Sequence, residues 1–285
     1  MGSTLHGLVA KSNGASPSYL QRGQEPGPPG HGHRPPLRRG RRRLRTPDPG
    51  THRRRRGGRP PRHHQPEHRS GAYLALLDQE GLLHIPLDDK AVIEPVTPRY
   101  LYDRRRLFKG ASMVVMDANL TPRAIRSAIS LARKAGVPMC VDPTSVSLAP
   151  RLIPHLAGLA IVTPNVAEAG ILCGAKIPGR REAVKAAQKL VAAGVETAII
   201  TMGPEGLCYA TSTESGHVPA IKVEVVDYTG AGDALTAGMV FGLLNDFPLD
   251  EAVRLGVSAA TLTIQSRETV RPDLSLELLY ERLVI

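Results

Sequence analysis

The sequence predicts an α/β fold, built on a doubly wound, mainly parallel sheet flanked by helices. Two observations predict it. Short apolar runs alternate with amphipathic stretches of about 10–15 residues, which is the order of strands joined by crossover helices. Polar residues also follow these runs repeatedly, where ligands bind in such sheets. At 285 residues the chain suits one large domain of this kind or two smaller ones.

The predicted elements follow one another along the chain. Two apolar runs around an Asp-Gln-Glu-Gly turn indicate a hairpin over residues 72–77 and 81–86. Further strands are predicted at residues 113–117, 138–142, 159–163 and 196–201, and two or three more within residues 206–226, the last of them a β-branched run at residues 221–226. Helices are predicted at residues 121–135, 165–173, 180–193, 231–244, 249–265 and 274–283.

The net charge of +11 is concentrated in residues 1–69, which hold 16 Lys and Arg against 3 Asp and Glu. The same segment holds 11 of the 25 prolines and 7 of the 10 histidines. Such a composition buries too little apolar surface to offset its chain entropy. We therefore predict a disordered, basic, low-complexity segment over residues 1–69, followed by one domain over residues 70–285.

Three explanations of this basic segment stay open: a nucleic-acid-binding arm, a solvated tail, or an out-of-frame translation. Synonymous codons can be chosen for residues 24–67 so that reading one base later gives RNLARLGTDTALLSAVGDDAFGRRIL and then EHTAAAGVDVRHVITSPN. That string has an amphipathic helix, a strand and a glycine turn, and then a second helix and strand. We favour the frameshift, and sequencing of the coding DNA tests it.

The cysteines and the hydropathy limit the cellular setting. Cys140, Cys173 and Cys208 are widely spaced in apolar surroundings, which argues against a disulfide framework or a metal knuckle. No apolar run reaches the roughly 18 residues of a membrane span, and the N-terminus lacks a signal-peptide core. We therefore expect a cytoplasmic protein without a membrane partner.

A glycine turn directly precedes the helix predicted at residue 231. Gly230 and Gly232 leave the backbone bare, so successive N–H groups can face one anion at a helix N-terminus. Asp233 lies inside this turn, which is a position for a carboxylate that handles a proton or a metal. For this motif alone, an ordinary strand-to-helix turn with a capping Asp is the alternative.

Two further polar signals follow predicted strands. Asn165 and Glu168, at i and i+3, share one helix face and could hold a hydrated Mg²⁺, or serve as a helix cap and a first-turn acid. Thr201, Gly203 and Gly206 could let a nucleotide lie against bare backbone, or form a simple turn.

The last two signals are acidic. Asp117, with Asn119, and Asp142 each end a predicted strand, either as caps or as ligands. All five signals fall at one edge of the predicted sheet, and this coincidence indicates a binding site there.

Residues 227–234 (DYTGAGDA) resemble the C-terminal signature of the PfkB/ribokinase family of sugar kinases, and residues 164–168 (PNVAE) resemble its N-x-x-E motif. The resemblance covers roughly residues 71–285, and the frame-shifted string is similar to the N-terminal part of the family. Within the family, residues 117–120 (DANL), 141–145 (VDPTS) and 265–270 (QSRETV) are most similar to pseudouridine kinases.

The resemblance implies a ribokinase-like fold and transfer of the ATP γ-phosphate to a hydroxyl of a sugar or nucleoside, with pseudouridine favoured. Asp233 would accept the hydroxyl proton, and the N–H groups of residues 230–232 (Gly230, Ala231 and Gly232) would form the anion hole. Asn165 and Glu168 would organise Mg²⁺ through water.

The remaining assignments also follow from the resemblance. Residues Thr201, Gly203 and Gly206 would border the nucleotide, and Asp117, Asn119 and Asp142 would contact the substrate. Asp227 and Thr229 match positions that help bind a monovalent cation such as K⁺, although Tyr228 departs from the commoner Thr or Ser. The hairpin near residues 73–85 would be a small lid that shields the sugar and can form a homodimer contact.

Two alternatives remain: a ribokinase- or fructokinase-like enzyme, or a catalytically impaired kinase remnant with a nucleic-acid-binding arm. In the family, the N-terminal part supplies an Asp and a glycine pair that hold the sugar, and the domain over residues 70–285 lacks that part. We therefore expect the chain as written to bind sugar poorly and to fold less stably. The arm has no aromatic residue beyond Tyr19, so nucleic acid is not the expected partner.

Overall fold

A computed structural model describes residues 8–10, 73–77, 83–88, 93–266, 271 and 273–283. The predicted disorder of residues 1–69 and the reading-frame hypothesis lie outside these ranges, with one exception. Residues Leu8–Ala10 form a strand, β1, within the segment for which no regular structure was predicted. This strand pairs antiparallel with the edge of the main sheet.

Two sheets are present in the described residues. The strands β2 (Tyr73–Leu77) and β3 (Leu83–Asp88) form a separate antiparallel pair, as the hairpin prediction required. The main sheet has the spatial order β1-β4-β5-β6-β7-β8-β9. Its other strands are β4 (Met113–Asp117), β5 (Met139–Asp142), β6 (Ile161–Val162), β7 (Thr197–Thr201), β8 (Leu207–Ala210) and β9 (Ser215–Val218).

The four central strands, β4 to β7, are mutually parallel, whereas β1, β8 and β9 pair antiparallel at the two edges. The sheet is therefore mixed, with its parallel part in the middle. This arrangement confirms the predicted α/β class, and it brings the carboxyl ends of four adjacent strands to one edge.

The helices are α1 (Pro98–Asp103), α2 (Arg105–Lys109), α3 (Pro122–Ala135), α4 (Val166–Cys173), α5 (Arg180–Ala192), α6 (Ala231–Leu244), α7 (Leu249–Ile264) and α8 (Leu276–Glu281). Helix α3 shows why the sequence predicted most of them well. The Thr121 hydroxyl caps its first turn by accepting the Ala124 N–H at 3.2 Å, and Gly136 ends it at φ 68°.

Helices cover both faces of the sheet. In β4, Val114 and Met116 pack with buried residues of α3, α4 and α5, whereas Met113 and Val115 pack with α6 and α7. Successive side chains of a strand point to opposite faces, so a strand buried on both faces is apolar throughout. The doubly wound architecture is thereby confirmed.

Close packing against α7 fixes the position of α6. A Cβ on Gly256 would lie 2.6 Å from the Leu235 carbonyl oxygen, and a Cβ on Gly242 would lie 2.8 Å from the Ala252 Cα. The two helices could therefore accept a side chain at these contacts only by moving apart from each other. This contact holds the first turn of α6 at the sheet edge.

The strand predicted at residues 221–226 is wrong. The N–H groups of Val226 and Asp227 donate to the Ile264 carbonyl oxygen, at 2.8 and 3.2 Å, instead of to a neighbouring strand. The β-branched composition favours an extended backbone, but it does not provide a sheet partner. The segment therefore connects β9 to the turn before α6, and its end is hydrogen-bonded to the end of α7.

In the part of the chain that the structure describes, no helix combines the length and the apolar character needed to cross a membrane. Cys140, Cys173 and Cys208 are buried free thiols.

Candidate active site

The carboxyl ends of the parallel strands bring four of the predicted polar signals together. Strand β4 ends at Asp117 and β5 ends at Asp142, and these two residues are paired in register. Asn165, just beyond β6, forms an isolated bridge with Thr201 at the end of β7. One edge of the sheet therefore carries all four residues.

Asp117 and Asn119 form a buried pair, with 2% and 8% of their surface exposed. The Asp117 carboxylate accepts the backbone N–H of Asn119 at 3.0 Å and its side-chain amide N–H at 3.1 Å. The Asn119 side-chain oxygen Oδ1 is buried and has no hydrogen-bond partner. Because an unsatisfied buried acceptor costs about 1–3 kcal/mol, this oxygen is suited to accept a hydrogen bond from a ligand.

A strained turn holds Asp142. Its carboxylate accepts the Thr144 N–H at 2.7 Å and the Thr163 hydroxyl at 3.0 Å. Thr144 has φ 68°, which is rare for a β-branched residue, and its hydroxyl oxygen accepts the Ala118 N–H at 3.1 Å. The hydrogen bonds therefore fix the Asp142 side chain in one orientation.

Two buried threonines connect α6 to this turn, and the sequence did not single them out. The Thr236 hydroxyl of α6 lies 3.5 Å from the Thr163 hydroxyl, which in turn donates to Asp142. The signal available in the sequence was their position: Thr163 directly precedes Pro164, and Thr236 lies three residues after Asp233.

The first turn of α6 is bare. Gly230 is its N-cap at φ 85°, and no side chain caps the helix. A Cβ on Gly232 would meet nothing within 4 Å, so open space adjoins the backbone there. The Ala231 N–H, one of the three groups predicted to bind an anion, donates instead to the Tyr228 carbonyl oxygen at 3.2 Å. The first N–H groups of a helix lack intrahelical acceptors, so this turn can still present donors to a ligand.

Asp233 lies in the field of the strand-end carboxylates. Burial, together with the negative charges of Asp142 and Asp117, raises its pKa to about 7. Burial likewise raises the pKa of Asp142 to about 6, against the lowering effect of its hydrogen bonds from Thr144 and Thr163. The two carboxyl groups belong to one electrostatic cluster, which favours a proton or a cation.

Asn165 and Glu168 form a capping box at the start of α4. The Asn165 side-chain oxygen accepts the Glu168 N–H at 2.9 Å, and the Glu168 carboxylate accepts the Asn165 N–H at 2.9 Å. Burial and the Asp142 charge raise the pKa of Glu168 to about 7. Among the described residues, no three His, Cys, Asp or Glu side chains lie close enough to hold a metal ion.

The loop after β7 contains two glycines with different roles. Gly206 has φ 88°, and a Cβ there would lie 2.1 Å from the Val218 carbonyl oxygen, so the fold itself requires glycine. Gly203 has φ 58°, and a Cβ there would meet nothing within 4 Å. Beside Thr201, the loop therefore presents open backbone at Gly203.

Asp227 and Thr229 form a small turn before α6, in which the Asp227 carboxylate accepts the Thr229 N–H at 2.8 Å. Tyr228 lies between them with its side chain exposed. The structure therefore brings the proposed cation residues together by a local hydrogen bond.

Comparison with known proteins identifies relatives of this chain. The model of the pfkB family of carbohydrate kinases matches residues 62–275. The chain is 31% identical over 212 residues to the pseudouridine kinase of Escherichia coli strain K12, which covers 74% of this chain and 67% of that protein. It is 32% identical over 155 residues to the ribokinase of Haemophilus influenzae, which covers 54% of this chain and 50% of that protein.

Solved structures show the same fold. A carbohydrate kinase from Agrobacterium tumefaciens superposes with a TM-score of 0.63 at 28% identity, over 76% of this chain and 69% of that one. Arabidopsis thaliana ribokinase, solved with ribose and ATP, superposes with a TM-score of 0.64 at 22% identity, over 73% and 69%. The chain spans from half to about two thirds of the length of these relatives.

Proposed function

This chain belongs to the pfkB family of carbohydrate kinases, and we propose that it transfers the γ-phosphate of ATP to a hydroxyl of a sugar or nucleoside. The observation that carries the proposal is the first turn of α6. There Asp233 stands in the field of Asp142 and Asp117, next to a glycine backbone that no side chain caps.

Asp233 is the proposed general base. A base is most effective when its pKa lies near the operating pH, and burial together with two neighbouring carboxylates brings the pKa of Asp233 to about 7. In the reaction Asp233 accepts the proton of the attacking hydroxyl while the new oxygen–phosphorus bond forms, and the bond from the γ-phosphorus to the bridging oxygen breaks to release ADP.

The backbone of α6 is the proposed site for the charge of the transferring phosphoryl group. A helix N-terminus combines free N–H donors with the positive end of the helix dipole. Open space beside Gly232 leaves room for the phosphoryl oxygens, and the Ala231 N–H needs to leave the Tyr228 carbonyl before it can contribute. Once in place, backbone donors of this kind stabilise the charge that develops in the transition state.

ATP is the proposed phosphoryl donor. The open backbone at Gly203, next to Thr201 and Gly206, supports nucleotide binding along this loop. The ribokinase of Arabidopsis thaliana, which shares the fold, was solved with ATP.

Mg²⁺ and K⁺ are the proposed cations. Burial and the negative charge of Asp142 raise the pKa of Glu168, and this donor set fits a divalent cation held mainly through water. With the metal bound, negative charge on the phosphates would be neutralised. Asp227 and Thr229 supply oxygens for a monovalent cation.

The favoured acceptor is pseudouridine. The support is the 31% identity to a pseudouridine kinase, together with the unpartnered Asn119 oxygen, which can accept an N–H of a base or a sugar hydroxyl. Asp117 and Asp142 would contact the same substrate. The β2–β3 hairpin would cover it, and could also contribute a homodimer contact.

The test is a screen for ATP-dependent ADP release over pseudouridine, other nucleosides, ribose and fructose. The protein is made both from the chain as given and from a gene that reads residues 24–67 one base later. We expect turnover with pseudouridine above all other acceptors, strongest in the frame-restored protein. Faster turnover of ribose or fructose would reject the acceptor, and no turnover of any acceptor in either protein would reject the kinase.

A further inference from the structure

A basic groove lies outside the candidate active site. It has a volume of about 500 Å³ and runs along α3 where α1 and α2 pack against it. Its cationic lining residues are Arg105, Lys109, Arg123, Arg126 and Lys134, and no acidic residue is among the residues that line it. The groove therefore concentrates five positive charges in the space of one ligand.

These cations are not neutralised within the described part of the chain. The ion pairs found there are Arg99–Asp103, Arg254–Asp250 and Arg271–Asp273, none of which includes a groove residue. Among the described residues, the Arg105 guanidinium donates to the Tyr102 carbonyl oxygen alone, at 3.0 Å. The positive charges remain available to an anion.

Three cations and one serine of α3 form a row. Arg123, Arg126, Ser130 and Lys134 follow one another at intervals of three or four residues, which is the spacing of a single helix face. At about 1.5 Å per residue, the row is roughly 16 Å long. The Ser127 and Ser130 hydroxyls lie in the same groove and can donate to phosphate oxygens.

The positive charges of α3 also affect the pKa of a neighbouring histidine. Burial lowers the pKa of His155, and the charges of Arg126 and Arg133 lower it further. A polyanion on α3 would relieve this repulsion.

An aromatic ring accompanies the charges. Tyr102 lies at the groove with 54% of its surface exposed, and the Arg105 guanidinium stacks 4.4 Å from the centre of its ring. Proteins that bind single strands combine a cationic groove with aromatic rings and arginine planes on which bases stack. A partner that supplied only negative charge would leave this ring without a role.

We infer that this groove binds single-stranded nucleic acid, with phosphates along α3 and a base against Tyr102. A single nucleotide is too short to contact the whole row of about 16 Å. The inference does not rest on the proposed kinase activity. It also differs from the hypothesis of a basic N-terminal arm, because the residues concerned lie on folded helices.

The test measures binding of a fluorescein-labelled 12-nucleotide oligouridylate to the full chain by anisotropy, over a range of salt concentrations. The groove variant carries Arg123→Ala, Arg126→Ala and Lys134→Ala. The charge-matched control carries Lys176→Ala, Arg181→Ala and Lys185→Ala, which replace exposed cations elsewhere. Both variants keep residues 1–69 and have the same net charge.

We expect the groove variant to bind at least tenfold more weakly at low salt, with a log–log salt slope lower by about two, because three phosphate contacts are lost. The control should bind within twofold of the parent chain. Equal losses in the two variants would assign binding to the basic arm or to net charge, and would overturn the inference, as would unchanged binding by the groove variant.

Substitutions of Tyr102 provide a second test, because they change the aromatic ring without changing the net charge. Tyr102→Ala should weaken binding about fivefold or more, whereas Tyr102→Phe should retain it, since stacking needs only the ring. Equal affinity of both variants would overturn the stacking contact. Displacement of the probe by AMP or by polyglutamate at matched charge concentration would overturn the assignment to nucleic acid. Thermal unfolding midpoints verify that every variant is folded.

Discussion

Two helices begin at the same edge of the sheet with an acid in the same position, yet their first turns differ. In α4, Asn165 is the N-cap and Glu168 is the third residue of the helix, and their side chains close a reciprocal capping box. In α6, Gly230 is the N-cap and Asp233 is the third residue, and no side chain caps the turn. Burial raises the pKa of both acids to about 7.

The difference separates a helix end that its own side chains close from one that no side chain caps, where we propose that a ligand binds. A capping box satisfies two N–H groups that would otherwise lack acceptors, which stabilises α4 by about 1 kcal/mol. Helix α6 lacks this stabilisation, because no side chain satisfies the N–H groups of its first turn. It is instead held by the close contact of Gly242 and Gly256 with the opposite helix.

The substitution Asp233→Asn has the largest expected effect and tests whether Asp233 is the general base. If Asp233 is the base, kcat should fall by about 10²–10⁴-fold, with ATP binding nearly unchanged, because the amide cannot accept the proton. The measurement is ADP release together with ATP titration on the frame-restored protein. Activity within about tenfold of the parent would refute the assignment.

The same variant has a stability readout that needs no activity. The folded-state pKa of Asp233, about 7, lies above its usual 3.8, so the folded chain holds a proton that the unfolded chain has lost between these pH values. The contribution of this group to stability is therefore lost as the pH rises from about 4 to 7. Asp233→Asn should unfold several degrees above the parent at pH 8 and level with it near pH 4. Glu281→Gln, an exposed carboxylate on α8, is the control and should show no such difference.

The substitution Gly232→Ala distinguishes a purely structural role of the α6 turn from a role in binding the phosphoryl group. Gly232→Ala should fold normally, since its Cβ meets nothing within 4 Å and alanine favours helices. It should still lower kcat by about tenfold or more, because its methyl group would occupy the open space proposed for the phosphoryl oxygens and keep them from the backbone N–H groups, and the loss of one such contact costs about 10²–10³-fold. The cap variant Gly179→Ala, on α5, should leave kcat unchanged. A fully active Gly232→Ala would argue that the turn is only structural.

The pH dependence of the rate should follow Asp233. Because a base must be deprotonated, kcat/KM should rise about tenfold per pH unit below pH 7 and level off above it, given a pKa of about 7. Initial rates between pH 5 and 9 give the profile. A midpoint near pH 4 would mean that burial and the charges of Asp142 and Asp117 do not raise the pKa of Asp233 in the enzyme.

The sequence predicted what depends on local pattern. The bounds of α3 and α6 agree with the prediction because a capping threonine, a proline and a glycine pair mark their ends. The strand at residues 221–226 failed because its composition says nothing about the Ile264 carbonyl that receives its N–H groups.

The site was predicted in part for the same reason. Strand-end positions indicated Asp117 and Asp142, which do pair in register. The link from Thr236 through Thr163 to Asp142 spans 94 residues of sequence and is visible only after folding. The sequence did not predict the groove either, because Arg105 and Arg123 lie on separate helices and come close to each other only in the folded chain.

The smallest expected effects lie on α4, and they test whether its capping box is also a metal site. Glu168→Gln keeps a side chain that can still accept the Asn165 N–H but removes the charge. We expect an unchanged thermal midpoint near pH 4, where the carboxyl group is protonated, and a severalfold higher Mg²⁺ concentration for half-maximal activity. Asn165→Ala should instead lower stability by about 1 kcal/mol through loss of the cap. If Glu168→Gln leaves the Mg²⁺ dependence unchanged, Glu168 serves only to cap α4. The first turn of α4 would then differ from that of α6 in function as well as in capping.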